Sequence, residues 1–557
     1  MKISDLARLW RTIQYLKASQ IIGRVKFKLL RPRPNLSSPP PARSPEGIWI
    51  SVARRPQSLI GPARFSVLGV QCDIDSEGWD AAHLPKLLRY NLHYFDDLNA
   101  VNAQVRSDDH VALIQRWIVE NPPGAGSGWE PYPLSLRIVN WIKWSQESGN
   151  VLSPDALASL AVQVRYLSRQ LEWHLLGNHL FINAKAMIFA GQFFEGPEAE
   201  GWSQIGFSIL SSQIPEQILA DGGQFELSPM YHALAIEDVL DLVNVTRRFG
   251  GISRPASVLP VKDWVALLPK MISWLQIMSH PDGHIALFND AAFGIAPDNE
   301  ELLSYAERLG ILIPRPPIEG VYRLPDSGYL RLAKNDVVAI IDVAAVGPEY
   351  LPGHAHADTL SFELSIRDQR IVVNGGTSVY GANAERQRQR GTLAHSTLCL
   401  DGHNSSEVWG GFRVGRRATV SDITVQESSD AFCIGASHDG YAHLPGGPMH
   451  RREWKLDEEQ FVIVDHLEGQ GEHEVEINFH FAPDIEIVEQ ADGSIDLQNA
   501  AGEKIATVTT SHPAGQQTLP STWHPQFGLS LDTKCLNVSL HGLTPLTVQT
   551  SFEWNDS

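Results

Sequence analysis

The hydrophobic period changes once along the chain, and that change limits the fold more than any single motif. Between about residues 77 and 312 apolar side chains return at helical spacing, as in 111–120, 133–144, 155–173, 179–194, 205–219, 231–249 and 261–278. From about residue 320 the period is two: Val475, Ile477, Phe479 and Phe481 alternate with Glu474, Glu476, Asn478 and His480. Runs 329–346, 360–373, 418–425 and 461–464 are also strand candidates, separated by turns such as Ala491-Asp492-Gly493. Consecutive helices followed by consecutive strands predict a multidomain α+β chain, helical hairpins and then an antiparallel β-sandwich. A parallel α/β fold is disfavoured, and neither a Gly-rich phosphate loop nor an internal repeat is evident. At 557 residues the chain exceeds what one core usually supports. Three regions are expected. Residues 1–76 hold a basic amphipathic helix, a Pro-rich connector (31–46) and a short β piece near 65–72; 77–319 are helical; 320–557 form the sandwich.

Charge is distributed unevenly. The net charge is −19, yet the first 34 residues carry nine Lys/Arg and one Asp, a local +8 that leaves −27 for the remainder. An acidic body argues against a nucleic-acid partner. Leu6, Leu9, Trp10, Ile13 and Leu16 recur at helical spacing in the basic segment, and docking on its own domain is preferred there to membrane-surface attachment. No window approaches the roughly 18 apolar residues of a membrane span. No signal-peptide core interrupts the N-terminal charges, so a cytoplasmic location is expected, with the periplasm still open. Cys72, Cys399, Cys433 and Cys535 lie far apart and predict neither a disulfide framework nor a zinc finger.

Four polar and aromatic stretches could carry chemistry. The first joins Arg89-Tyr90-Asn91-Leu92-His93-Tyr94-Phe95 to Trp129-Glu130-Pro131-Tyr132. Asn91, His93, Tyr94, Trp129 and Tyr132 suit stacking on sugar rings and bonding to hydroxyls, with helix packing as the plain alternative. In the second, Asn178-His179, the amide either caps a helix or bonds a substrate carboxylate. The third runs from Asp221-Gly222-Gly223 through Glu226 to Tyr231-His232 at a helix start, where a phenol can exchange a proton. The fourth is Gly353-His354-Ala355-His356-Ala357-Asp358 with Asn374 and His395-Ser396-Thr397. In an extended segment His354 and His356 point to one side, and His from adjacent strands can assemble a metal site. Arg386, Arg388 and Arg390 share a face if extended, and with Arg413, Arg416 and Arg417 they could receive an anion.

In this order the stretches resemble the heparinase II/III-like polysaccharide lyases over nearly the whole chain. The match includes Trp129-Glu130-Pro131-Tyr132, Asn178-His179, Asp221-Gly222-Gly223 to Tyr231-His232, Pro281-Asp282-Gly283, Asp326-Ser327-Gly328-Tyr329, the two His motifs of the fourth stretch and Ala394 before the second. The resemblance implies an incomplete (α/α) toroid followed by an antiparallel multi-sheet β-sandwich. It also implies β-elimination on a uronic-acid-containing polysaccharide. Asn178 would neutralise the uronate carboxylate, Tyr231 would transfer the proton, and His354 would be its partner from the sandwich. A divalent cation, Zn or Ca, would sit at His356, Asn374 and His395. Three positions depart from the family pattern: Asn374 replaces a metal-binding Asp, Gln224 stands where His is common, and His395-Ser396-Thr397 replaces His-Asn-Thr. A neutral Asn binds a cation less tightly than a carboxylate, so a structural, weakly occupied site is expected. The segment Trp409-Gly410-Gly411-Phe412-Arg413-Val414-Gly415-Arg416-Arg417 resembles members that sit among bacterial exopolysaccharide genes.

The expected function is therefore a polysaccharide lyase acting on an acidic bacterial exopolysaccharide. Catalysis falls to Asn178, Tyr231 and His354. Binding falls to the five residues of the first stretch with His179, Glu226, His232, Arg390 and Arg413. Two alternatives stay open. One is a glycoside hydrolase using Asp221 and Glu226 as paired carboxylates; the other is a non-catalytic glycan-binding protein of polysaccharide assembly. The expected partner is an acidic polysaccharide or oligosaccharide, with a homodimer allowed.

Overall fold

A computed structural model describes residues 3–147, 150–250 and 261–554. In the helical part, Pro131–Gln146, Gly177–Phe193 and Pro229–Arg248 pack in succession as an inner layer. Pro154–Leu167, Pro197–Gln217 and Val261–Ile277 pack behind them. Gly177–Phe193 is buried on nearly every face, as its lack of a polar side requires of a central helix. Pro131, Pro154, Pro197 and Pro229 each stand at a helix start, where the missing N–H costs nothing and φ is already helical. The helix expected over 205–219 accordingly begins at Pro197. The inner helices meet around buried charges. Lys185 Nζ donates to Asp241 (2.6 Å) and Asp238 (2.7 Å), and Lys143 Nζ to Asp241 (2.9 Å) and Glu237 (3.3 Å).

The strand region forms three larger sheets, all with antiparallel pairing. Five strands from Gly320–Leu324 to Gln369–Val372 make the first. Val420–Glu427 begins the eight-stranded sheet, and Leu398–Leu400 lies at one edge of a four-stranded one. The three share one apolar core, including Phe362, Trp454, Phe461, Phe479 and Phe552. The run 329–346 is a hairpin rather than one strand: Tyr329–Lys334 turns back into Val337–Asp342 at Asn335, whose positive φ of 50° suits a tight turn. Arg367, at φ 58°, does the same between Phe362–Ile366 and Gln369–Val372.

Helices and sandwich are joined by an apolar cluster drawn from both. Leu227, Trp274, Met278 and Phe288 from the helical side pack with Tyr329, Val338 and Ile340 of the first sheet and with Ala344 just beyond it. Asp221 Oδ2 adds a polar clasp, accepting from the Ser327 backbone N–H (2.7 Å) and hydroxyl (2.8 Å). The N-terminal segment forms two helices, Ile3–Ile13 and Ala18–Leu29, and the β piece near 65–72 is a three-stranded sheet over Leu59–Gly61, Arg64–Val67 and Val70–Asp73. All four cysteines are free.

Candidate active site

Asn178, Tyr231 and His354 belong to one group at the junction of the helices and the sandwich. Asn178 is the second residue of Gly177–Phe193 rather than its cap. Its backbone N–H, at the positive end of that helix, donates to Glu226 Oε1 (3.1 Å), and its amide donates to the Tyr132 hydroxyl (3.3 Å). Tyr231 lies in the first turn of Pro229–Arg248, where Ser228 caps the helix by accepting from the Tyr231 N–H (3.3 Å). The Tyr231 and His354 rings lie 4.2 Å apart, and the Tyr231 hydroxyl is 3.0 Å from that of Tyr380. His354 Nδ1 is bonded to Asp290 Oδ2 (2.8 Å), and its Nε2 lies 3.3 Å from Glu226 Oε2. Glu226 thus links Asn178 to His354.

Asp290 and Tyr380 were not read from the sequence. Asp290 is fully buried and accepts from both terminal guanidinium nitrogens of Arg386, from His354 and from His356 Nε2 (2.9 Å). Burial would raise its pKa, but Arg386 and the two imidazoles outweigh that and hold it well below the usual carboxylate range. Burial and the neighbouring Tyr380 push the Tyr231 phenol well above its ordinary pKa, so it rests neutral. The only advance sign of Asp290 was a polar pair, Asn289-Asp290, after the apolar run 285–288.

The proposed cation ligands need one correction. His356 and His395 do converge, ring centroids 5.2 Å apart, but the third member of their group is Asp358. One ligand atom from each of His356, Asp358 and His395 lies within 4.8 Å of the others. Asn374 instead bonds His395 Nδ1 through its side-chain oxygen (2.8 Å) and aims the ring. His356 Nδ1, Asp358 Oδ2 and His395 Nε2 are buried without hydrogen-bond partners, as facing donors to a cation would be. Burial keeps both imidazoles neutral, lowering His356 to about 4 and His395 well below the ordinary value, and neutral imidazole is the ligating form. This group could hold a metal ion, and because it contains a carboxylate, the argument for weak binding from a neutral set no longer applies.

Several expected binding residues have structural work instead. His93 is wholly buried and accepts from Trp117 Nε1 (3.0 Å). Trp129 packs between Trp117 and Tyr166, and the Asn91 amide bonds Leu87 O of its own helix (2.8 Å). His232 lies tilted against Trp274, ring centroids 4.2 Å apart, and, with burial lowering it to about 4, accepts from the Gln224 N–H, which holds the loop carrying Glu226. The segment Ala384–Gln389, capped by Arg390, is a short helix, not extended, so Arg388 turns outward while Arg386 and Arg390, four apart, share its buried side. Arg386 grips Asp290, Arg388 faces Glu385, and Arg390 donates to Ala355 O (2.7 Å) inside the His motif. Arg413 is exposed on a two-residue strand paired with Val408–Trp409, its guanidinium 4.7 Å from the Trp409 ring. Tyr94 packs edge-on to Tyr132, whose other neighbour is His179 at 4.7 Å. Burial would lower His179, but Glu172 at 3.1 Å outweighs it and leaves the ring above its ordinary pKa. Tyr132 and His179 therefore remain beside Asn178.

Fold and site define a class, a ring of paired helices joined to a multi-sheet sandwich with a Tyr–His–Asn group where they meet. Comparison with known proteins narrows it. Residues 93–305 match the family model for the heparinase II/III N-terminus, and residues 317–554 that for the heparinase II/III-like C-terminal region. The chain belongs to the heparinase II/III-like family. A heparin-sulfate lyase of Bacteroides stercoris is 28% identical over 393 residues, 65% of this chain and 54% of the relative. One of Pedobacter heparinus is 29% identical over 328 residues, 52% of this chain and 47% of the relative. The chain thus spans about half the length of these curated relatives. A solved heparinase III structure, 16% identical, superposes with a TM-score of 0.67 over 97% of this chain and 86% of its own, which supports the fold.

Proposed function

We propose that the protein is a polysaccharide lyase that cleaves a uronic-acid-containing glycan by β-elimination. The observation that carries the reading is the Tyr231–His354 pair, one ring from the helices and one from the sandwich, with Asn178 tied to the same group through Glu226. A proton α to a carboxylate is weakly acidic because its removal puts charge beside existing charge. Bonding that carboxylate to the Asn178 amide makes the enolate-like intermediate accessible. Tyr231, neutral at rest, is disposed to protonate the departing O4. His354, its Nδ1 proton held by Asp290, would take the C5 proton at Nε2, the nitrogen that otherwise lies 3.3 Å from Glu226. The C5–H and C4–O4 bonds break, and a C4–C5 double bond remains in the product. A Zn-type cation at His356, Asp358 and His395 would cross-link the segments that hold His354, because two imidazoles and one carboxylate suit Zn better than Ca.

The hydrolase alternative loses one of its two carboxylates. Asp221 is already committed to the amides of Gly223, Asp326 and Ser327. The substrate we favour is an acidic bacterial exopolysaccharide, on the strength of the 409–417 segment, with heparan sulfate as the comparison. The test is a panel of acidic polysaccharides read by ultraviolet absorbance of the unsaturated product. Tyr231→Phe should lower turnover about 100-fold or more while leaving the fold intact. Chain shortening without new absorbance would refute elimination.

A further inference from the structure

The two N-terminal helices are docked the wrong way round for a soluble surface element. Ile3–Ile13 is held to the sandwich by polar groups: Arg11 pairs with both oxygens of Glu407 (2.8 Å), and Thr12 Oγ1 accepts from Trp409 Nε1 (3.1 Å). Leu6, Trp10 and Ile13, at i, i+4 and i+7, share another face and are exposed, Trp10 by 64%. Ala18–Leu29 repeats the pattern. It touches the sandwich side at Gln20, which donates to Tyr350 O (3.3 Å), and the helical domain along Gly23 and Phe27, with Phe27 on His174 at 4.2 Å. Ile21, Ile22, Val25 and Leu29 lie on a different stripe and are more than half exposed, Leu29 by 75%. Leu30 continues it, and the exposed Arg24, Lys26 and Lys28 accompany it. A soluble helix ordinarily buries its apolar stripe and exposes its charges.

We propose that these helices are a membrane-surface anchor, lying in the interface of a bilayer rich in anionic phospholipid. Such an anchor needs a Trp- and Leu-bearing apolar stripe to enter the acyl boundary and bases to meet the headgroups, and both stand on the same two helices. Charge selects the occupant. The segment is +8 on a chain otherwise −27. Arg8, Arg11 and Lys17 are paired with Asp5, Glu407 and Glu216, but Arg24, Lys26 and Lys28 are exposed beside the apolar stripe, so the second helix is drawn to an anionic surface that repels the body. A second copy offering the same stripe would bring like charges together across a two-fold interface. A soluble acidic polysaccharide would satisfy the bases but leave the apolar stripe in water. No helix among the described residues is long and apolar enough to cross a membrane, and a surface anchor needs none. Through Arg11 and Thr12 the first helix also holds the 407–413 region, which includes Phe412, 6.1 Å from the His354 ring. The anchor therefore adjoins the rim of the candidate site.

The test is sedimentation of the full chain with vesicles of phosphatidylcholine alone or containing about 30% phosphatidylglycerol. The chain should pellet with the anionic vesicles and be released by high salt. Ile21→Ser combined with Val25→Ser and Leu29→Ser should weaken binding about tenfold or more, and so should Arg24→Gln with Lys28→Gln. These side chains are exposed, and an unchanged unfolding midpoint would show that each variant is folded. Absence of binding to anionic vesicles would overturn the proposal. So would wild-type binding by the apolar variant, or a concentration-dependent dimer in which residues 18–30 are protected without lipid. Binding to soluble polygalacturonate that is lost only in the Arg24/Lys28 variant, without vesicle binding, would assign the bases to glycan instead.

Discussion

At His395 a single hydrogen bond decides what the ring can do. An amide oxygen only accepts, so the bond to Asn374 Oδ1 puts the proton on Nδ1 and leaves the Nε2 lone pair facing His356 and Asp358. Asp358→Asn should then abolish stoichiometric Zn as measured by elemental analysis, because it removes the group's anionic ligand. Asn374→Asp should retain the metal, since a carboxylate accepts the same Nδ1 proton. Full metal content in Asp358→Asn would return the third ligand position to Asn374. The sequence showed the two His motifs but could not choose between Asp358 and Asn374, because ligand convergence depends on loops whose path is set by distant contacts. Beyond its place in the Asn289-Asp290 pair, Asp290 was hidden for the same reason: four partners find it from residues 354, 356, 377 and 386, none near it in sequence.

Within the eight-stranded sheet, Arg452 and Asp465 face each other in register on neighbouring strands, Met449–Leu456 and Gln460–Glu468. Asp465 accepts from Arg452 Nε (2.7 Å) and His450 Nε2 (2.7 Å). Arg452 also donates to Leu360 O (2.9 Å) and Ser396 O (2.7 Å), one residue beyond Thr359 and His395. One cross-strand pair therefore fixes both segments that lead to the candidate cation group. Burial would raise the Asp465 carboxyl, but Arg452 and His450 outweigh it and hold it at about 2. Against about 3.9 unfolded, this depressed value contributes about 2–3 kcal/mol. That stability is fully present above about pH 4 and is lost as pH falls through about 2. Asp465→Asn leaves a buried guanidinium unpaired and should cost about 3–5 kcal/mol in urea unfolding at pH 7. The gap between variant and native protein should narrow below about pH 3. A constant gap down to pH 2 would mean that the pair contributes no acid-labile stability.

At the scale of the molecule, the period change made the order of helices and sandwich legible, because amphipathic spacing is a local property of the chain. How the parts meet was not legible, since the joint is built from residues 221–288 on one side and 324–344 on the other. That joint yields a prediction about cutting the chain. The connecting segment 313–318 is partly exposed and carries three prolines, whereas the apolar cluster of Trp274, Met278, Phe288, Tyr329 and Val338 is buried. The polypeptide link therefore adds little beyond loop closure to an interface already held by burial, at roughly 25 cal/mol per Å² of apolar surface. A protease site engineered into 313–318 and cleaved after folding should leave both fragments co-eluting in gel filtration, with most of the proposed activity retained. Residues 1–315 expressed alone should expose the apolar cluster, aggregate, and show no activity, because the fragment keeps Asn178 and Tyr231 but lacks His354. Fragments that separate on cleavage would show that the joint depends on the linker, and activity from residues 1–315 alone would remove His354 from the chemistry.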